Sequence, residues 1–155
     1  MRRRTLDETV VGIVAYSEGK KVKLGGLPMK CALIFTTSRL IVAKIASFLT
    51  MIAPIVPVVG SAIANLATKN PSELAALSPE EIIKSDKNNY SLPYSGIKKV
   101  QIMHGTFPNE RWGAMIWTAK DRYNYLIYTR EDSDRFLDLV RTTMPEVEVA
   151  LPKNW

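Results

Sequence analysis

The sequence predicts a small, mainly β (α+β) domain: a seven-stranded antiparallel barrel or sandwich, capped by a C-terminal helix and carrying an apolar helical insertion at about residues 45–89. Three observations predict it. Short β-branched and aromatic runs alternate with turn residues from Thr9 to Thr129. The hydrophobic period then lengthens to that of a helix over Asp132–Met144. Between two sets of strands stands Ile45–Thr68, 24 residues without one ionisable side chain, closed by Lys44 and Lys69.

Taken in order, Thr9–Tyr16 (TVVGIVAY) reads as a strand. Glu18-Gly19-Lys20 is turn chemistry, and Lys21–Leu24 alternates like a half-exposed second strand, so the pair forms a hairpin displaying Lys20, Lys21 and Lys23. In Met29–Lys44 the runs CALIFT and LIVA flank Thr37-Ser38-Arg39 as a tight hairpin. Within the charge-free stretch, Pro54 and Pro57 each remove a helix hydrogen bond, which predicts two short helices, about Ala46–Ala53 and Val58–Ala67. Asn70-Pro71-Ser72-Glu73 and Ser78-Pro79-Glu80-Glu81 each offer an N-cap, a proline at the first helical position and a glutamate at the third. They predict helices over Pro71–Leu77 and Pro79–Lys84, followed by a polar loop at Ser85–Asn89.

Leu92–His104 returns to strand character. The spacing of Ile97, Val100 and Ile102 slips once, as at a bulge. Trp112–Thr118 and Tyr123–Thr129 form a hairpin about Ala119-Lys120-Asp121-Arg122. The last helix places Phe136, Leu139, Val140 and Thr143 on one face, gathers Glu131, Asp132 and Asp134 near its positive end, and stops at Pro145.

That order resembles the pleckstrin-homology-like (PH-like) superfamily, in particular its bacterial and archaeal PH-like and GRAM branch. Phe35-Thr36-Thr37-Ser38-Arg39-Leu40-Ile41-Val42 is similar to the family's "lTdkRLi" hairpin. Leu92-Pro93-Tyr94-Ser95-Gly96-Ile97 is similar to its "ipYsdI" strand start, with Gly96 where an acidic residue is common. The resemblance spans most of the chain outside Ile45–Asn89 and implies a single PH-like domain that binds lipid or protein without catalysing a reaction. It also implies an anionic-lipid contact on the hairpin bearing Lys20, Lys21 and Lys23. The spaced Lys…Arg-x-Arg of a strong phosphoinositide binder is absent, so diffuse attraction to anionic lipid is the implied mode.

Charge is distributed unevenly. Residues 1–44 hold nine Lys and Arg against three acids, whereas residues 45–155 hold twelve of each sign, so the whole net charge of +6 precedes the apolar stretch. Arg2, Arg3 and Arg4 join the three lysines as candidate anionic-lipid contacts, because each basic residue near a headgroup surface is worth about 1 kcal/mol. Phe48, Leu49, Ile52, Ile55, Val56, Val58, Val59 and Ile63 are the candidate apolar contacts with a membrane or a partner. As a helix, 24 residues would cover about 36 Å, more than a hydrocarbon core of about 30 Å. A single crossing, however, would put the two sets of strands on opposite sides of the bilayer. The expectation is a peripheral module at the inner face of the cell membrane; the alternative is a protein-interaction scaffold whose apolar insertion is an interface with a second copy or a partner protein.

Several classes are not expected. Cys31 is the single cysteine, which excludes an intramolecular disulfide and fits a reducing cytoplasm. With His104 the single histidine, no Cys/His zinc site is expected, and no cofactor. No phosphate loop, dinucleotide fingerprint or nucleophile elbow appears, so an enzyme is not expected. The aromatic hairpin at Trp112–Tyr128 is nearly neutral, so nucleic acid is not expected as a partner. MRRRTLDE followed by VVGIVAYSEG is too short and too soon interrupted for a signal peptide.

Overall fold

A computed structural model describes residues 7–21, 29–52, 77–106, 108–153 and 155. Among these residues the chain is mainly β, with eight strands in one curled, mixed sheet and a long C-terminal helix. The strands are β1 (Val10–Lys21), β2 (Met29–Thr36), β3 (Arg39–Lys44), β4 (Tyr90–Pro93), β5 (Ile97–Gly105), β6 (Arg111–Thr118), β7 (Arg122–Ile127) and β8 (Glu148–Ala150). The helices are α1 (Ile45–Ile52), α2 (Pro79–Lys84) and α3 (Arg130–Thr143). The sheet order is β4-β3-β2-β1-β7-β6-β5-β8. All pairs are antiparallel except β5 with β8.

Two features differ from the expected seven-stranded antiparallel barrel. The ladder stays open, with β4 and β8 as its edges, and the tail adds an eighth strand that runs parallel. It is nevertheless strongly curled. Tyr90 on β4 and Tyr123 on β7 stand four strands apart, about 19 Å on a flat sheet, yet their rings stack with centroids 5.6 Å apart. Curling gives the sheet an inside, filled by Val14, Leu33, Phe35, Leu40, Val100, Ile116 and Tyr125 and plugged by Phe136, Leu137 and Val140 of α3. Phe136 meets Phe35 edge-on, with ring centroids 5.5 Å apart.

The first hairpin is a correction. Glu18-Gly19-Lys20 is not a turn: β1 runs through it without a break, pairing Gly19 with Met29 on one side and with Tyr125 on the other. A Cβ on Gly19 would lie 2.5 Å from Cδ1 of Tyr125. The glycine therefore clears room for a ring instead of bending the chain. Likewise Leu92–His104 is not one strand. A 3₁₀ turn at Tyr94–Gly96 separates β4 from β5. The expected irregularity is present as a register shift between Ile97 and Lys99.

Local signals fix the helix ends. Ser78 caps α2 by accepting the N–H of Glu81, with Pro79 at the first helical position. Thr129 caps α3, which begins two residues before the expected Asp132. Its buried face is Ser133, Phe136, Leu137 and Val140. Leu139 instead covers β1 at Gly12, where a Cβ would lie 2.5 Å from Leu139 Cδ2.

A second cluster lies on the outer face of β1–β3. Ile13, Ala32, Ile34, Ile41 and Ala43 are covered there by Phe48 of α1 and by Leu77 and Ile82, the latter on α2. The ends of the long excursion between β3 and β4 are thus held on one face of the sheet. The expected helices at Pro71–Leu77 and Val58–Ala67 lie outside the described residues, Leu77 excepted. No helix among the described residues is long and apolar enough to cross a membrane.

Candidate functional site

Strand ends assemble the site. At the end of β1, Lys20 and Lys21 occupy ladder positions opposite Asn124 and Tyr123 of β7. Arg122 opens β7 beside Tyr123, and Lys120 lies in the turn before it. On the other side of β1, Lys30 stands one residue before Cys31, which pairs with Lys44 at the end of β3. The Lys44 backbone N–H donates to Asn89 Oδ1 (2.8 Å), two residues after Lys87. Asn89 Nδ2 in turn donates to the Ile82 carbonyl (2.8 Å) and bonds Ser85 Oγ (3.1 Å), next to Lys84 in the last turn of α2. One end of the curled sheet is therefore ringed by cations, and Lys30, Lys44, Lys84, Lys87, Lys120 and Arg122 are all exposed.

Two acids nearby are engaged. Asp86 accepts the Asn88 N–H (2.8 Å) and the Ser47 hydroxyl (2.7 Å), which hold its carboxyl below its usual value. Glu18 accepts from the Tyr128 hydroxyl at 3.1 Å. The long connection between β3 and β4 starts at this same end, because Lys44 is followed directly by α1.

The ladder places Lys20 and Lys21 at this basic end of the sheet, although not on the expected hairpin. Lys23, Arg2, Arg3 and Arg4 lie outside the described residues, as do Ile55, Val56, Val58, Val59 and Ile63. Phe48 is buried on the chain's own sheet, with no surface left for lipid or a partner. Leu49 is half-buried against the same cluster, and Ile52 is the last residue of α1. Phe48 is thus an anchor on the sheet and not a contact surface. Sequence reasoning missed Lys84, Lys87, Lys120 and Arg122 because they belong to the stretch whose charges cancel. Their one local signal is position: each sits in or beside a turn.

The Cys31 thiol is buried, and burial pushes it up to about 11 despite its bond to Ser17 Oγ (3.1 Å). His104 stacks on Trp112 and bonds Glu110 at 3.0 Å. No group of three metal-ligating side chains occurs among the described residues. An open groove of about 340 Å³ beside the end of α3 is floored by Ile97 and Met144, with Lys98 and Glu146 of opposite sign in its lining. The chain matches no family model and none of the curated proteins.

Proposed function

We propose that this chain is a PH-like, non-enzymatic module that associates peripherally with an anionic membrane surface. The basic crown meets the headgroups, and the charge-free excursion beyond α1 supplies the apolar contact. One observation carries this reading: Phe48 on one side of the excursion and Leu77 and Ile82 on the other share a single cluster on one sheet face. A segment that leaves and returns on the same face can dip into one leaflet but cannot traverse it once. Six exposed cations around its point of departure add attraction of about 1 kcal/mol each near an anionic surface.

Flotation with phosphatidylcholine vesicles, with and without added phosphatidylserine, tests the proposal. Wild type is expected to float with the anionic vesicles only, and both Ile55→Asp/Val59→Asp and Lys44→Glu/Lys87→Glu are expected to stay at the bottom. Failure of wild type to float removes the proposal. A stable dimer in detergent-free buffer that Ile55→Asp/Val59→Asp dissociates would instead give the excursion to a second copy.

A further inference from the structure

The outer face of β5–β7 differs from that of β1–β3. The latter is covered by α1 and α2, and no residue of β5, β6 or β7 belongs to that covered cluster. Ladder register lays out what β5–β7 turn outward. One row reads Lys99, Trp117, Arg122; the next reads Gln101, Met115, Asn124; the third reads Met103, Gly113, Leu126. Their alternates Val100, Ile102, Ala114, Ile116, Tyr123, Tyr125 and Ile127 fill the core. None of the three strands contains an Asp or a Glu. The nearest acids on neighbouring strands are Glu148, opposite Lys99 on β8, and Glu18, opposite Leu126 on β1.

The first row is the informative one. Trp117 is half-buried between two cations, with Lys99 Nζ 5.3 Å from its ring centroid and Arg122 directly across the ladder. Arg122 is also a member of the crown, so the row continues the basic end of the sheet onto this face. An amphipathic indole beside cations that can reach upward is the arrangement that sits at a headgroup boundary. A second copy of this face would bring Lys99 and Arg122 against like charge, with Glu148 opposite Lys99 as the single acid of the row. Charge and continuity with the crown therefore select an anionic bilayer as its occupant.

We propose that Lys99, Trp117 and Arg122 form a second lipid contact, with Trp117 seated at the interface of an anionic leaflet, so that the protein lies tilted toward its β5–β7 face. This rests on the membrane reading above and adds an orientation that the apolar excursion alone does not set.

The test uses W112F/W155F, which keeps Trp117 as the one tryptophan, with vesicles of phosphatidylserine and bromine-labelled phosphatidylcholine. Quenching and a blue shift of Trp117 emission on binding are expected. Binding with Trp117 neither quenched nor shifted overturns this proposal and leaves the crown-and-excursion reading standing. K99E/R122E, with all native tryptophans, is the second arm. A loss of affinity for the anionic vesicles of roughly thirtyfold or more is expected from removing two surface cations and putting two acids in their place, and unchanged affinity overturns the proposal. Absence of any flotation by wild type fails the membrane reading itself and this contact with it. Dimerisation that W117F abolishes, without lipid quenching, gives the face to a second copy and overturns the proposal.

Discussion

The hydroxyl oxygens of Tyr90 and Tyr125 lie 2.8 Å apart across the inside of the sheet, joining β4 to β7 without any strand between them. Burial raises both phenols well above the ordinary tyrosine value, so each stays protonated and one donates to the other. This bond closes over an interior that the backbone ladder leaves open. Tyr90→Phe and Tyr125→Phe are each expected to cost about 1 kcal/mol in urea denaturation, because each leaves a hydroxyl without its partner. The double variant should cost less than the two singles together. Strict additivity would mean that the hydroxyls do not interact.

Glu8 ties the segment before β1 to the β2–β3 turn. Burial raises its carboxyl, but hydrogen bonds from Arg39, Thr36 and Ser38 overcome that and hold it below the usual 4.5. Arg39 grips it with two nitrogens, each at 2.9 Å, and also reaches Glu80 of α2 at 2.6 Å. A carboxyl whose folded value is depressed contributes stability above its unfolded value and loses it as the pH falls through the folded one. Wild type should therefore weaken as the pH drops below about 4.5. Glu8→Gln should be less stable at neutral pH and show a shallower acid limb. Parallel limbs for the two proteins would remove this ion pair from the account. Glu80 is 65% exposed, so Glu80→Gln should cost no more than about 1 kcal/mol.

The Cys31 thiol should ignore Ellman's reagent in the native state at neutral pH, since it is 1% exposed and pushed up to about 11. One equivalent should react once urea unfolds the chain. Fast native labelling would show that this part of the sheet opens.

Phe48→Ala should destabilise by about 3–5 kcal/mol, the usual cost of emptying an aromatic site in a packed core. Hydrogen exchange should rise in α1 and along the β2–β3 ladder beneath it. A cost near zero would detach α1 from the outer face and with it the same-side anchoring of the apolar stretch.

What the sequence made legible was local. Ser78-Pro79-Glu80-Glu81 carries its cap, its proline and its first-turn acids within four residues, and α2 begins there. Thr37-Ser38 is a turn because runs of buried residues stop on either side of it. The misreading at Gly19 has the opposite origin. Nothing near Gly19 in the chain announces the Tyr125 ring, which lies more than a hundred residues away and reaches it only through the β1–β7 pairing. β8 escaped notice because three residues carry too little pattern to be told from a tail.

The crown was half legible. Lys20 and Lys21 stand out by density, but Arg122 and Lys87 come from a region of zero net charge and join them only through strand register and the Asn89 bonds. Charge counted along a chain measures neighbours in sequence, whereas a surface potential depends on neighbours in space.

Asn89 has one further consequence. By accepting from the backbone of Lys44 and donating to Ile82, it fastens the neck of everything between β3 and β4, while Arg39–Val42 and Tyr90–Pro93 pair as an ordinary hairpin above it. The ladder does not register how long its connection is, and closure entropy grows only slowly with length. The segment between α1 and Leu77 is in that sense a cassette: lineages or engineers could lengthen, shorten or exchange it without altering a single rung of the sheet that carries it.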